Sequence, residues 1–348
     1  VVSAKHHAFS VSGVPIGARK QGVVMPAKGK VPREEFVALW ERHGSARIIA
    51  QHLGIDISNV HQRRRRMEKE GYTFATRPAP GYEKHTPILD TGWTFPREIQ
   101  HEIQDGCVIV SSDHHYWPDI VTTAHIALLN VCKALKPKAK ILNGDIFDGV
   151  SVSRHPPFGW SRRPSVREEL EACQERVAEI EAVLPKGCQR LWSIGNHDIR
   201  FERVLAQNSP QYEGLPGWRL EDHFHGWNFA WSHLFNADGV HPVMVKHKHA
   251  GGVHAGYNNT MKGGVTIVTG HTHLLEVKPW GDYRGRRYGV QTGTITALDG
   301  PQTEYQENAP PTACPGFVVL TFKDGDLLPP ELCEVRGDKA FFRNEQVA

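Results

Sequence analysis

Short apolar runs that stop abruptly at polar clusters recur along the chain, and this pattern organises most of it. Cys107-Val108-Ile109-Val110 stops at Ser112-Asp113-His114-His115, and residues 139–142 stop at Asn143-Gly144-Asp145. Leu191-Trp192-Ser193-Ile194 runs into Gly195-Asn196-His197-Asp198. Val243-Met244-Val245 meets Lys246-His247-Lys248-His249, and Val265-Thr266-Ile267-Val268 meets Gly270-His271-Thr272-His273. Apolar runs of this length, bounded by turn residues, predict buried strands. Between them Val166, Leu170, Cys173, Val177, Ile180 and Leu184 repeat at helical spacing, so 165–184 reads as an amphipathic helix whose stripe is core. A second helix is expected over about 119–135. Period-2 runs with turns around 281–286 and at Asp324-Gly325 predict hairpins over 281–328 and a second sheet. The expected fold class is α/β, a two-sheet sandwich flanked by helices over 106–335, with 336–348 a peripheral tail.

Upstream the period changes. Residues 31–77 show three short helical patterns: one from Pro32 through Phe36, Leu39 and Trp40 to Gly44, one over 46–53 capped by Ser45, and one capped by Ser58 that ends near Gly71. Ile49, Leu53, Ile55 and Val60 are placed to fill a core, and Ala50 with Gly54 permits the tight turn of a helix-turn-helix. The third helix is expected to turn Asn59, Gln62, Arg63, Arg64, Arg65 and Arg66 outward, where Arg and Gln can read base edges or grip phosphates. The unit looks like the DNA-binding helix-turn-helix of phage and mobile-element proteins; the competing reading is a protein-binding bundle with a solvated basic face. Residues 78–105, rich in Pro and Gly, read as a linker docked by Trp93 and Phe95. Residues 1–30 read as a disordered tail, and 1–24, ahead of Met25, as upstream or added sequence.

Charge sharpens this division. Residues 1–78 hold 14 Lys and Arg against 6 Asp and Glu, and the rest holds 27 against 32. A basic head on an acidic body points to a nucleic-acid partner for the first and a cation for the second. The six cysteines are scattered without a CxxC pair, as in a reducing, cytoplasmic setting. No apolar run approaches the roughly 18–20 residues of a membrane span.

If the sheet brings the strand ends together, they form a pocket of carboxylates, imidazoles and one amide. That donor set suits two adjacent divalent cations, with manganese favoured and iron, zinc or magnesium as alternatives. DxH at 113–115, GDxxD at 144–148, GNHD at 195–198, a strand-final His at 247 and GHTH at 270–273 together resemble the calcineurin-like metallophosphoesterases. The resemblance implies a first metal on Asp113, His115, Asp145 and His273. It implies a second on Asp145, Asn196, His247 and His271, with His249 nearer the substrate and Asp148 orienting ligands. His114, His241 and His254 read as surface or capping residues.

In such a site, two cations activate a shared water as hydroxide for in-line attack on phosphorus. The resemblance gives His197 the leaving-group proton and Asp198 the task of orienting its ring. Phosphoprotein-phosphatase members carry an Arg after GDxxD, where this chain has Gly149, and GNHE where it has GNHD. Both departures favour the phosphodiesterase and nuclease branches, and Arg200 is either a phosphate contact or a surface arginine. Arginines and aromatic residues at 151–164 suit a single strand of nucleic acid, or else pack the loop on the body; the turn at 283–287 is a weaker version. The expected function is a metal-dependent DNA phosphodiesterase or nuclease. The alternatives are a phosphomonoesterase acting on protein or DNA ends, and a DNA-binding regulator with an inactive body.

Overall fold

The computed structural model describes residues 31–43, 46–74, 94–155, 159–160, 162–239, 241–307 and 312–348. The chain divides into two compact units, Val1–Lys84 and His85–Ala348. The expected tail at 1–30, the Ser45 cap, Trp93 and Phe158 lie outside the described residues.

In the first unit, α1 (Arg33–His43), α2 (Ala46–Leu53) and α3 (Ile57–Lys69) enclose one small core. Phe36, Ile49 and Val60 are fully buried there, and Phe36, Trp40 and Phe74 form an aromatic trio with centroids 5.8–6.2 Å apart. Gly54 takes φ +62°, and Ile55 N–H reaches back to Ala50 O at 3.1 Å, which closes α2 and turns the chain into α3. Asp56, two residues before the expected Ser58, caps α3 by accepting the Ser58 N–H at 2.8 Å.

The second unit opens with β1 (Ile99–His101), β2 (Gly106–Ser111), α4 (Thr123–Leu135) and β3 (Ala139–Leu142). Then come α5 (Val166–Val183), β4 (Gln189–Ser193), α6 (Arg200–Asn208), β5 (Asn228–Ala230), β6 (His233–Phe235) and β7 (Val243–Val245). After α7 (Ala255–Gly263) follow β8 (Thr266–Thr269), β9 (Leu275–Asp282) and β10 (Gly285–Thr292). The chain closes with β11 (Gly316–Lys323), β12 (Asp326–Leu327), β13 (Glu331–Arg336), β14 (Lys339–Phe342) and β15 (Glu345–Gln346).

These strands make two sheets. The six-stranded sheet has the order β1-β6-β7-β8-β10-β9, and the nine-stranded one runs β15-β14-β13-β11-β2-β3-β4-β5 with β12 on β11. Alternation explains the layering: Val108, Val110, Val318 and Leu320 face the other sheet with Val243, Val245 and Val268. Ile109, Phe317 and Val319 face the opposite way, into a core shared with Leu128, Val131, Leu170 and Val177 from α4 and α5. Ser165 and Glu168 close a reciprocal capping box that fixes the start of α5.

Two boundaries differ from expectation. Residues 336–348 are not peripheral: β14 and β15 extend the nine-stranded sheet and bury Ala340 and Phe342. The cause is turn chemistry. Gly337-Asp338 links Arg336 to its partner Lys339, and Arg343-Asn344, both left-handed, link Phe342 to Glu345. Likewise 94–105, expected as the end of a linker, supply β1 and the buried Phe95 and Ile103.

Candidate metal centre

The parallel strands β2, β3 and β4 end side by side, with Ser111 paired to Leu142 and Leu142 to Trp192. Their following loops therefore emerge together at the carboxyl edge of the sheet. Main-chain bonds lock these loops: Asp113 N–H donates to Gly144 O at 2.9 Å and His115 N–H to Asp145 O at 3.1 Å. From the other sheet, His271 N–H donates to Asp113 Oδ2 at 2.9 Å. Five of the residues so delivered sit in the left-handed region: Asp113 (φ 52°), His115 (41°), Asp145 (56°), His271 (69°) and His273 (58°). Such conformations cost energy in a non-glycine residue and gather where side chains must be aimed.

The side chains converge as three groups, within each of which the donor atoms lie within 4.8 Å of one another. Asp113, His115 and His273 form one, Asp145, His247 and His271 another, and His115, Asp148 and His197 the third. Asp113, Asp145 and His247 are almost fully buried. Asn196 Oδ1 is buried with no hydrogen-bond partner, and the buried His247 Nε2 lies 3.0 Å from Asp145 Oδ2. A buried acceptor left unpaired is costly unless something is bound there, and a divalent cation fits the Asn196 oxygen as it fits the carboxylate and imidazole donors. His247 Nδ1 donates to Asn143 O at 2.8 Å and His115 Nδ1 to Asp148 Oδ1 at 2.9 Å. Each of these bonds fixes the ring and frees its Nε2 for the cluster.

The electrostatics are those of a site that calls for positive charge. Burial works to raise Asp145, but His247, His197 and His115 outweigh it and hold the carboxyl far below the usual range. Asp113 is lowered in the same way by His247 and His273 against its own burial. Burial opposes protonation of His247, yet Asp145 and Asp113 raise its proton affinity well above that of an ordinary imidazole.

Of the two strand-final histidines, His247 stands in the cluster and His249 is exposed outside it. The role expected of Asp198 needs correction. Its carboxylate accepts N–H groups from Asp145, Ile146 and Gly195 at 2.9–3.0 Å and the Trp192 indole at 3.1 Å, and it does not touch the His197 ring. The ring is held by Asp148 instead, through Nδ1 to Oδ1 at 2.9 Å. The Asp198 carboxylate is taken up by the amides of the loop after β3 and of Gly195, which leaves Asp148 within hydrogen-bond reach of the imidazole. His114, expected at the surface, is buried and bonds Ser111 Oγ at 2.9 Å.

One contributor was passed over in the sequence. Thr294 Oγ1 donates to Asp113 O at 2.6 Å, and Ser112 Oγ meets Thr292 Oγ1. Gln291-Thr292-Gly293-Thr294 after the apolar Val290 is a further strand end with a polar cluster, the same signal carried by the other five.

In the first unit, the four consecutive arginines divide. Arg63 and Arg64 turn inward: Arg63 lies 4.6 Å from the Phe36 ring and donates to Val31 O, and Arg64 lies 4.7 Å from Trp40 and pairs with Glu68 at 2.7 Å. Asn59, Gln62, Arg65 and Arg66 are exposed. At 3.6 residues per turn, four successive side chains cannot share one face. In the second unit Trp160 is fully exposed, while Arg163 ties its loop by donating to Val150 O at 3.1 Å. Tyr283 is also exposed, but Asp282–Gly285 is the far end of a hairpin whose other end, Leu275–Thr292, adjoins the cluster. At about 3.3 Å per residue that tip is roughly 25 Å away.

Among the described residues no helix is long and apolar enough to cross a membrane. No family profile matches the chain. It is similar to the Gene 54 protein of Mycobacterium phage L5, 24% identical over 233 residues that cover 59% of this chain and 84% of that protein. The Gene 54 protein of Mycobacterium phage D29 is 26% identical over 227 residues, with the same shares. The chain is thus similar to phage proteins, and its buried His and Asp groups could hold a metal ion.

Proposed function

We propose that the protein is a two-metal, calcineurin-like phosphoesterase that hydrolyses phosphodiesters in DNA. The reading is supported by one observation: the Asp and His residues of five sequence blocks, scattered over 113–273, meet as adjoining groups whose donor atoms could hold metal ions. Asp113, His115, Asp145 and His273 would hold one cation, and Asp145, Asn196, His247 and His271 the other. When bound, divalent cations supply Lewis acidity and activate water at neutral pH. His197 would give a proton from Nε2 to the departing oxygen, its Nδ1 fixed by Asp148. His249, exposed, would stand nearer the substrate.

DNA is the preferred target because Asn59, Gln62, Arg65 and Arg66 share the exposed side of α3, a surface that suits a groove and its phosphates. The relatives encoded by phages accord with a role in a phage life cycle inside a host cell.

The test is incubation of the full chain with single- and double-stranded DNA, with and without Mn²⁺, beside chromogenic diester and monoester substrates. Metal-dependent cleavage of DNA and of the diester is expected, with His197→Ala binding metal but losing turnover. Hydrolysis of the monoester or a phosphopeptide with all DNA intact would replace this reading by a phosphatase. Metal binding with no turnover on any ester would leave a DNA-binding regulator.

A further inference from the structure

Arg200 opens α6 at the border of the candidate centre, and its surroundings are unusual for an arginine. Nη1 donates to Asp148 O at 2.8 Å and Nη2 to His197 Nε2 at 2.8 Å. Neither acceptor is a carboxylate, and among the described residues no carboxylate stands within ion-pair distance of its guanidinium. The side chain is half-buried, and burial lowers its proton affinity against the pull of Asp148 and Asp145. A half-buried guanidinium without an anion is an incomplete pair, and its planar fork matches the oxygens of a phosphoryl group.

Its route to that place is prepared by Gly149. That residue is left-handed (φ +66°), and a Cβ there would lie 3.2 Å from Arg200 Cβ and Cδ and 2.9 Å from the Phe147 ring. The Arg200 stem therefore runs through the space that a side chain at 149 would need. The cation is brought in from the helix after β4 rather than from the loop after β3.

We infer that Arg200 is the phosphate anchor of this site: on substrate binding its guanidinium exchanges His197 Nε2 and the Asp148 carbonyl for a phosphoryl oxygen. The same movement uncovers His197 Nε2 toward the scissile ester. The inference rests on the phosphoesterase reading for its substrate class, but inorganic phosphate tests it without turnover.

The experiment uses the Mn²⁺-loaded full chain and measures inorganic phosphate binding by calorimetry, metal content, and KM and kcat on a chromogenic diester. Arg200→Ala is expected to weaken phosphate binding at least tenfold and raise KM with metal content unchanged. Arg200→Lys should recover part of the loss, and Arg203→Ala, exposed on the same helix, should stay within twofold of wild type. Arg200→Gln keeps the stem and a donor, and serves if the alanine variant does not fold; it should show the same loss. Phosphate binding within twofold of wild type in the alanine or glutamine variant overturns the inference, as does loss of phosphate together with the metals. Wild-type protein that binds phosphate but cleaves no ester ends the phosphoesterase reading while the Arg200 comparison still stands or falls by binding. Wild-type protein that binds no phosphate ends the anchor as well.

Discussion

Asp148 Oδ1 lies 2.9 Å from His197 Nδ1, and the same oxygen lies 2.9 Å from His115 Nδ1. One carboxylate thus sets the tautomer of a proposed metal ligand and of the proposed proton donor. Asp148→Asn should lower turnover by about 10- to 100-fold while the protein stays folded. Asp198→Asn should do the reverse: its new NH₂ would face the amides that the carboxylate now accepts, and stability should fall by about 3 kcal/mol. Paired denaturation and kinetic measurements check both, and a stability loss in Asp148→Asn as large as in Asp198→Asn would show the two roles are not separate.

Gly195 is as constrained as its neighbours are chemical. A Cβ there would lie 2.1 Å from Asp145 Oδ1 and 2.3 Å from Asp145 N, so Gly195→Ala must push apart the loops after β3 and β4. A loss of about 1–3 kcal/mol and of at least one bound metal is expected, read by thermal unfolding and elemental analysis.

Cations should act on stability as well as on chemistry. At about 100 times its dissociation constant, Mn²⁺ should add roughly 2.7 kcal/mol to the unfolding free energy, and a chelator should remove it. His247→Ala and His273→Ala stand in different groups, so each should lower the bound metal from two ions toward one. If one of the two variants keeps both ions, its histidine is not a ligand.

Alkaline pH should stabilise the fold through Lys140. This residue is fully buried in β3, donating to Ile141 O at 2.8 Å and to Ser111 Oγ, and burial lowers its pKa to about 8. Against an unfolded value near 10.4, the native protein gives up this proton earlier than the unfolded chain. Stability therefore rises between about pH 8 and 10.4, by about 3 kcal/mol, and the penalty is complete below pH 8. Denaturant midpoints of wild type and Lys140→Met, compared at pH 7 and 9.5, isolate this contribution. Equal pH dependence in the two proteins would refute it.

The arginines of α3 should separate in the same way. Arg65→Ala and Arg66→Ala should each weaken DNA binding and reduce its salt slope by about one, with helicity unchanged. Arg64→Ala removes a cation–π contact with Trp40 and should cost about 0.5–1 kcal/mol of stability, measured by thermal melting of the first unit.

The His and Asp groups that could hold a metal were legible because buried strands are short, apolar and end in loops, so their polar termini announce themselves one by one. What the sequence does not carry is depth. Asp148 and Asp198 are both plausible partners of His197 on paper, and only the descent of the Asp198 side chain to the loop amides separates them. The run Arg63-Arg64-Arg65-Arg66 reads as one patch until helical rotation lays two of its members on aromatic rings. The strands β14 and β15 were missed for a simpler reason. Their turns, Gly337-Asp338 and Arg343-Asn344, carry visible signals, but strands of two to four residues show no usable period.

Asp113, His115, Asp145, His271 and His273 all hold left-handed backbone. At roughly 1 kcal/mol or more each, the fold carries on the order of 5 kcal/mol of strain at this one edge. Glycine at those positions would relieve the strain but remove the aimed side chains, among them Asp113 and Asp145, which accept the His271 and His197 amides. A relaxed backbone and a competent pocket thus pull in opposite directions at this edge.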